Sequence, residues 1–189
     1  DCANALTVLQ DGVVQLPNTT WKGAGVAIPV FSLRSNSSFG VGEFSDIKLL
    51  ADWASNTGFK LIQLLPINDT SATMTWQDSY PYAAISAFAL HPIYINVSKV
   101  AGKRFAAVLK PLVKKQKQLN SLPEVDYEQV MQLKMQALRE LFALDENAFL
   151  QEEEYKAFFA DNANWLKPYA AFCLLRDKWG TSDFNNWKS

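Results

Sequence analysis

The run Leu61, Ile62, Gln63, Leu64 and Leu65, closed by Pro66, constrains the fold more than any other stretch of the chain. It is almost unbroken in its apolar character. It therefore predicts a short strand covered on both faces, as in a parallel sheet packed between helices. The residues that follow are polar and aromatic: Asn68, Asp69, Thr70, Ser71, Trp76, Gln77, Asp78, Ser79, Tyr80 and Tyr82. In parallel α/β folds the loops at strand carboxyl ends hold the ligands. Carboxylates and hydroxyls can bond a sugar's hydroxyls while flat aromatics cover the C–H face of its ring. Composition alone describes an ordinary surface loop with some buried aromatics equally well.

Upstream, residues 23–33 read as a first buried strand, with Pro29 demanding an irregular ladder. Ile47, Leu50, Ala51 and Ala54 then fall at i, i+3, i+4 and i+7, which predicts an amphipathic helix ended by Gly58. Strand, helix and strand (61–67) form one βαβ unit with parallel strands. Residues 1–22 read as a short hairpin or extended linker turning at Asp11-Gly12.

Between Ser79 and Ser98 no residue carries a formal charge, but Pro81, Pro92 and scattered polar groups argue against a membrane span. A buried irregular loop followed by a short strand fits better. Beyond residue 98 the texture is helical. Six lysines between Lys99 and Lys117 suit a solvated helix face rather than a basic docking patch, because the whole chain has a formal charge of -1. Asp126 and Gln129 have capping-box spacing, followed by Val130, Leu133, Ala137 and Leu141 at helical intervals. Residues 152–159 and 166–179 read as two more helices. Pro168 would sit in a first turn, and Glu152, Glu153 and Glu154 at an exposed helix start.

The near-zero charge excludes a global nucleic-acid surface. Cys2 and Cys173 stand at opposite ends without disulfide or metal spacing, and Cys173 lies in an apolar helical run that predicts a buried free thiol. The four Asn-x-Ser/Thr sequons are read as chance. The first residue is Asp1, and no charged-then-apolar leader follows, which predicts a mature or excised piece; the expected compartment is the cytoplasm. His91 is the only histidine, set on an apolar stretch where a structural role is expected. GVGEF lacks the third glycine and the Lys-Ser/Thr pair of a phosphate loop.

Five stretches carry a resemblance: GAGVAIPVFSLRS (23–35), FGVGEFSDIKLLADWA (39–54), LIQLLPINDT (61–70), DSYPYAAISAFALHP (78–92) and NANWLKPYAAFCLLRD (162–177). In this order they resemble the glycoside hydrolase family of 4-alpha-glucanotransferases, the amylomaltases and disproportionating enzymes. The disproportionating enzyme 2 branch is the nearest in pattern. The resemblance implies an α/β fold, a partial (β/α)8 TIM barrel followed by a mostly helical inserted subdomain. It divides the chain into 1–22, a linker or the tail of a preceding module; 23–97, the first barrel strands; and 98–189, the helical subdomain.

The implied activity is transfer of α-1,4-glucan segments between oligosaccharides by retaining double displacement, with no cofactor and no metal. In the family the nucleophile, the acid/base and a third carboxylate lie on later barrel strands, so the resemblance implies no catalytic residue within these 189 residues. Asp69 and Asp78 would be the naive choice for a carboxylate pair about 5 Å apart, and the resemblance argues against them. Substrate binding is carried over to Tyr82, which matches the tyrosine that packs on the sugar, and to Ser79 and Asp78. Here Tyr80 stands between the serine and Pro81, a departure from the family's Ser-Pro-Tyr. Glu43 replaces an aspartate common in amylomaltases and keeps a carboxylate to support its loop. The implied partner is an α-1,4-glucan or maltooligosaccharide, with neither nucleic acid nor membrane, and the piece alone is expected to be inactive and to self-associate. A non-catalytic glucan-binding module and a helical interaction domain built on residues 99–189 remain the alternatives.

Overall fold

A computed structural model describes Thr7–Val8, Val14–Gln15 and residues 22–187. Strands β1 (Thr7–Val8) and β2 (Val14–Gln15) pair antiparallel, as a hairpin requires. The Asp11-Gly12 turn lies outside the described residues.

Strand β3 (Gly25–Ile28), helix α1 (Asp46–Thr57) and strand β4 (Leu61–Leu64) form the expected βαβ unit. The strands are parallel, with Gly25 opposite Leu61 and Ile28 opposite Leu64. Helix α1 starts where Asp46 accepts bonds from the Glu43 amide (2.8 Å) and from the Ser35 and Ser38 hydroxyls (2.8 Å each). It stops at Gly58, whose φ of 81° only glycine adopts without strain.

Both strands are shorter than expected. Pro29 has no amide hydrogen to extend the ladder, so the chain leaves β3 into a 3-10 turn at Val30–Ser32. The expectation of strands covered on both faces is also corrected. Exposure alternates along β3 and β4, and Leu61 is 56% exposed. Packing covers one face only, and among the described residues no layer lies over the other.

After β4 the chain makes an isolated antiparallel bridge between Asn68 and Leu90 and a 3-10 turn at Pro92–Tyr94, where a short strand was expected. Helices α2 (Val97–Ala101), α3 (Ala106–Leu109) and α4 (Val113–Asn120) follow, and all six lysines of this stretch are exposed. Helix α5 (Tyr127–Phe149) begins at Asp126, whose carboxylate accepts from both the amide and the side chain of Gln129. Its apolar stripe is buried at Val130, Ala137 and Leu141.

The two helices expected over 152–159 and 166–179 are one, α6 (Glu153–Trp179), with Pro168 inside it. The Asn-rich stretch between them does not break the helix because its side chains bond along it. The Asn162 amide donates to the Phe158 carbonyl at 2.8 Å and accepts from the Trp165 indole at 2.8 Å.

The main core combines Val30, Phe39, Val41, Ile93 and Tyr94 with Leu119, Tyr127, Val130 and Met131. The strand half and the helical half therefore share one apolar interior. A buried ion pair crosses the same junction, with Lys134 Nζ 2.5 Å from Glu43 Oε1 and also donating to the carbonyls of Ile93 and Ile95. No described helix is long and apolar enough to cross a membrane.

Candidate sugar-binding site

The loop leaving β4 is organised by its own side chains. Asp69 accepts from the Ser71 amide (2.9 Å) and hydroxyl (2.6 Å), so the chain turns immediately after the strand. Asp78 accepts from the amides of Thr73 and Met74 and from the Thr73 hydroxyl. That grip folds the tip back and holds Met74 at a left-handed φ of 59°. A 3-10 turn at Trp76–Ser79 follows, with the Trp76 amide donating to Glu128 of α5 at 2.8 Å.

This loop walls a cavity of about 460 Å³ at the carboxyl ends of both parallel strands. Phe31, Ser32 and Arg34 come from the segment after β3; Asn68, Thr70, Trp76, Asp78 and Ser79 come from the loop after β4. His91, Tyr94 and Tyr127 close the floor. Trp76 is 66% exposed at the wall, which leaves its ring free to lie against a ligand.

The three residues singled out in the sequence have different places. Ser79 lines the cavity and is exposed. Asp78 lines it too, but its carboxylate is engaged by the loop backbone rather than turned free to a ligand. Tyr82 is 60% exposed outside the cavity wall, one residue past Pro81, with its ring 5.6 Å from that of Tyr80.

His91 is structural in its bonding. Its Nδ1 accepts from the Ile93 amide, so the proton sits on Nε2, which faces the Tyr127 hydroxyl at 3.0 Å. Burial pushes its pKa down to about 4, so the ring is neutral near pH 7. Burial raises the Tyr94 phenol to about 12 and pushes Tyr127 higher still, so both remain hydroxyls. Among the described residues no three His, Cys, Asp or Glu side chains converge as metal ligands do.

Several residues that shape the site were not visible as such in the sequence. Glu128 holds Trp76, and Tyr169 and Arg176 of α6 hold Asp69 and Ser71. The Tyr169/Arg176 spacing of two helical turns was the available signal.

A family model described as 4-alpha-glucanotransferase matches residues 28–189. The chain belongs to the 4-alpha-glucanotransferase family. It is 47% identical to 4-alpha-glucanotransferase DPE2 of Oryza sativa subsp. japonica over 95% of this chain and 19% of that protein. It is 31% identical to a 4-alpha-glucanotransferase of Chlamydia muridarum over 87% of this chain and 31% of that protein. A homologue of the same description in Chlamydia trachomatis is 34% identical over 86% of this chain and 30% of its own length. The chain thus spans between about a fifth and a third of the length of these family members.

Proposed function

We propose that these residues serve a 4-alpha-glucanotransferase as one wall of its sugar cleft. The observation that carries this reading is the placement of the aromatic, hydroxyl-bearing loop at the carboxyl ends of two parallel strands, beside an open cavity, in a chain of this family. The βαβ unit supplies the first two strands of an eightfold barrel, and residues 98–189 form a helical subdomain beside it. Ser79 and exposed Tyr82 contact the glucan, with Trp76 as a further ring surface, while Asp78 acts mainly by shaping the loop.

The reaction is retaining double displacement: a carboxylate displaces the leaving sugar to give a glycosyl-enzyme, and a second sugar hydroxyl then displaces the enzyme. Transfer exceeds hydrolysis when the bound acceptor excludes water. The 189-residue chain alone does not turn over. Asp69 and Asp78 are both held inside the loop, so neither is free to attack or to donate a proton. This same engagement supports glucan binding without reaction by the chain alone. Its open sheet face and exposed Leu61, Phe88, Leu174 and Phe184 support self-association when it is isolated.

The test is to incubate the full-length protein with maltotriose and follow the distribution of chain lengths. Redistribution is expected, and Tyr82→Ala should lower kcat/KM at least about tenfold, the scale of a lost ring-stacking surface. A full-length protein that leaves maltotriose unchanged would remove the transferase reading. Calorimetry on the 189-residue chain should show binding of the oligosaccharide without product.

A further inference from the structure

We propose that helix α6 positions the sugar-facing loop through two hydrogen-bonded latches, Tyr169 on Asp69 and Arg176 on Ser71. This rests on the reading of that loop as part of the glucan cleft. Tyr169 and Arg176 are seven residues apart, two helical turns, and so face the same way. The Tyr169 hydroxyl donates to Asp69 Oδ2. Arg176 Nη1 donates to the Ser71 carbonyl at 2.5 Å and reaches the Ser71 hydroxyl at 3.1 Å. Its Nε and Nη2 both bond Asp177 Oδ1, at 2.9 and 2.8 Å, which fixes the plane of the guanidinium. Ser71 Oγ in turn donates to Asp69 Oδ1, so the four side chains form one continuous polar chain. Asp69, Ser71 and Arg176 are all almost fully buried, at 1%, 2% and 6% exposure, where each bond is strengthened by exclusion of water.

The loop needs an external hold. Behind it lies a second cavity of about 420 Å³, lined by Ala72, Thr73, Met74 and Arg176, so part of its rear face is left unpacked. Met74 sits in a left-handed backbone well that costs a residue with a Cβ about 1–2 kcal/mol. From Ser71 the chain runs to Thr73, whose amide and hydroxyl meet Asp78, and Asp78 and Ser79 form the front cavity wall. A shift at Ser71 is therefore transmitted directly to the wall that meets the sugar. Tyr169 and Arg176 touch no substrate and act as positioning residues.

The experiment uses the full-length protein with Tyr169→Phe, Arg176→Lys and Arg176→Gln, and with Arg139→Gln as a control. Arg139 lines the same rear cavity but makes only an exposed 3.9 Å pair with Asp177. Amide hydrogen exchange over residues 71–79 should accelerate about tenfold in Tyr169→Phe and Arg176→Gln and stay unchanged in the control. KM for maltotriose should rise about tenfold while kcat changes less than about twofold, because positioning rather than chemistry is lost. Arg176→Lys should recover part of the KM.

Unchanged exchange in Tyr169→Phe, which removes a single oxygen, overturns the latch. Faster exchange with an unchanged KM overturns the positioning role. If the wild-type protein performs no transfer, the functional reading falls, while the exchange of residues 71–79 still decides whether α6 holds the loop.

Discussion

Lys134→Met tests how the helical half is joined to the strand half. Lys134 is fully buried at 0% exposure, and its ammonium bonds Glu43 Oε1 at 2.5 Å and the carbonyls of Ile93 and Ile95 at 2.7 and 3.0 Å. Methionine fills nearly the same volume, so the change removes the charge and its bonds without leaving a large hole. Glu43, 2% exposed, then keeps only the Asn96 amide at 2.6 Å as a side-chain partner. Leaving one member of a buried pair alone costs about 3–5 kcal/mol. For a chain of this size that is roughly 6–20 °C in Tm.

The pair itself is worth far less than that loss. Burial raises the pKa of Glu43 and lowers that of Lys134 in spite of their mutual attraction. A raised carboxyl pKa means stability present at low pH that is lost as pH rises through the folded value. A lowered lysine pKa means stability present at high pH that is lost as pH falls through the folded value. Both ions are therefore held near neutrality at a net desolvation cost. It follows that Lys134→Met combined with Glu43→Gln should lie within about 1–2 kcal/mol of the wild type, since no buried charge is left alone.

The single variant should also be less destabilised at pH 4.5 than at pH 7, because Glu43 can then take up a proton. Urea denaturation of the 189-residue chain, followed by tryptophan fluorescence at both pH values, reads all three quantities. A Lys134→Met loss under about 1 kcal/mol, or a double variant as unstable as the single, would refute this account of the junction.

Gly42, His91 and Asp78 test other parts of the structure. Gly42→Ala would place a Cβ 1.9 Å from the Val30 carbonyl and 2.7 Å from the Leu33 amide, so backbone must move. A loss above about 3 kcal/mol is expected by thermal melting, against about 1 kcal/mol for Gly58→Ala, where only the left-handed φ is strained. His91 should make folding sensitive to acid. Its pKa falls from 6.5 to about 4 on burial, so its contribution is complete above pH 6.5 and is lost as pH drops toward 4, about 3 kcal/mol in all. Urea titrations between pH 7 and 4 should show that slope, and His91→Gln should flatten it. Asp78→Ala strips the acceptor from the Thr73 and Met74 amides, and limited proteolysis should cut between residues 72 and 79 much faster than in Ser79→Ala.

What was legible in the sequence was what repeats along it. Ile47, Leu50 and Ala54 marked α1, Gly58 its end, and the flanking apolar runs a parallel βαβ unit. Asp126 and Gln129 marked the start of α5. The misreadings share a cause. Leu61 to Leu65 looked covered on both faces because apolar content cannot say how many layers surround a strand, and Leu61 stands exposed. Residues 152–159 and 166–179 read as two helices because the pattern cannot see Asn162 bonding along one helix between them.

The site loop was legible in composition and position, but not in shape. Its shape depends on Asp69 and Asp78 within the loop and also on Glu128, Tyr169 and Arg176, which lie 52, 100 and 105 residues from their partners Trp76, Asp69 and Ser71. Hydrophobic periodicity reports which face of an element is buried and carries no address for a polar contact. A different long-range contact does leave a local trace, a conflict of rules: Lys134 sits four residues past Val130 on a stripe that should be apolar. A charge forced onto a buried stripe must meet an opposite charge there, and Glu43, the acid of GVGEF, is the residue it meets. Such conflicts mark where the strand half and the helical half hold one another, and in this chain that junction borders the cavity where a sugar would lie.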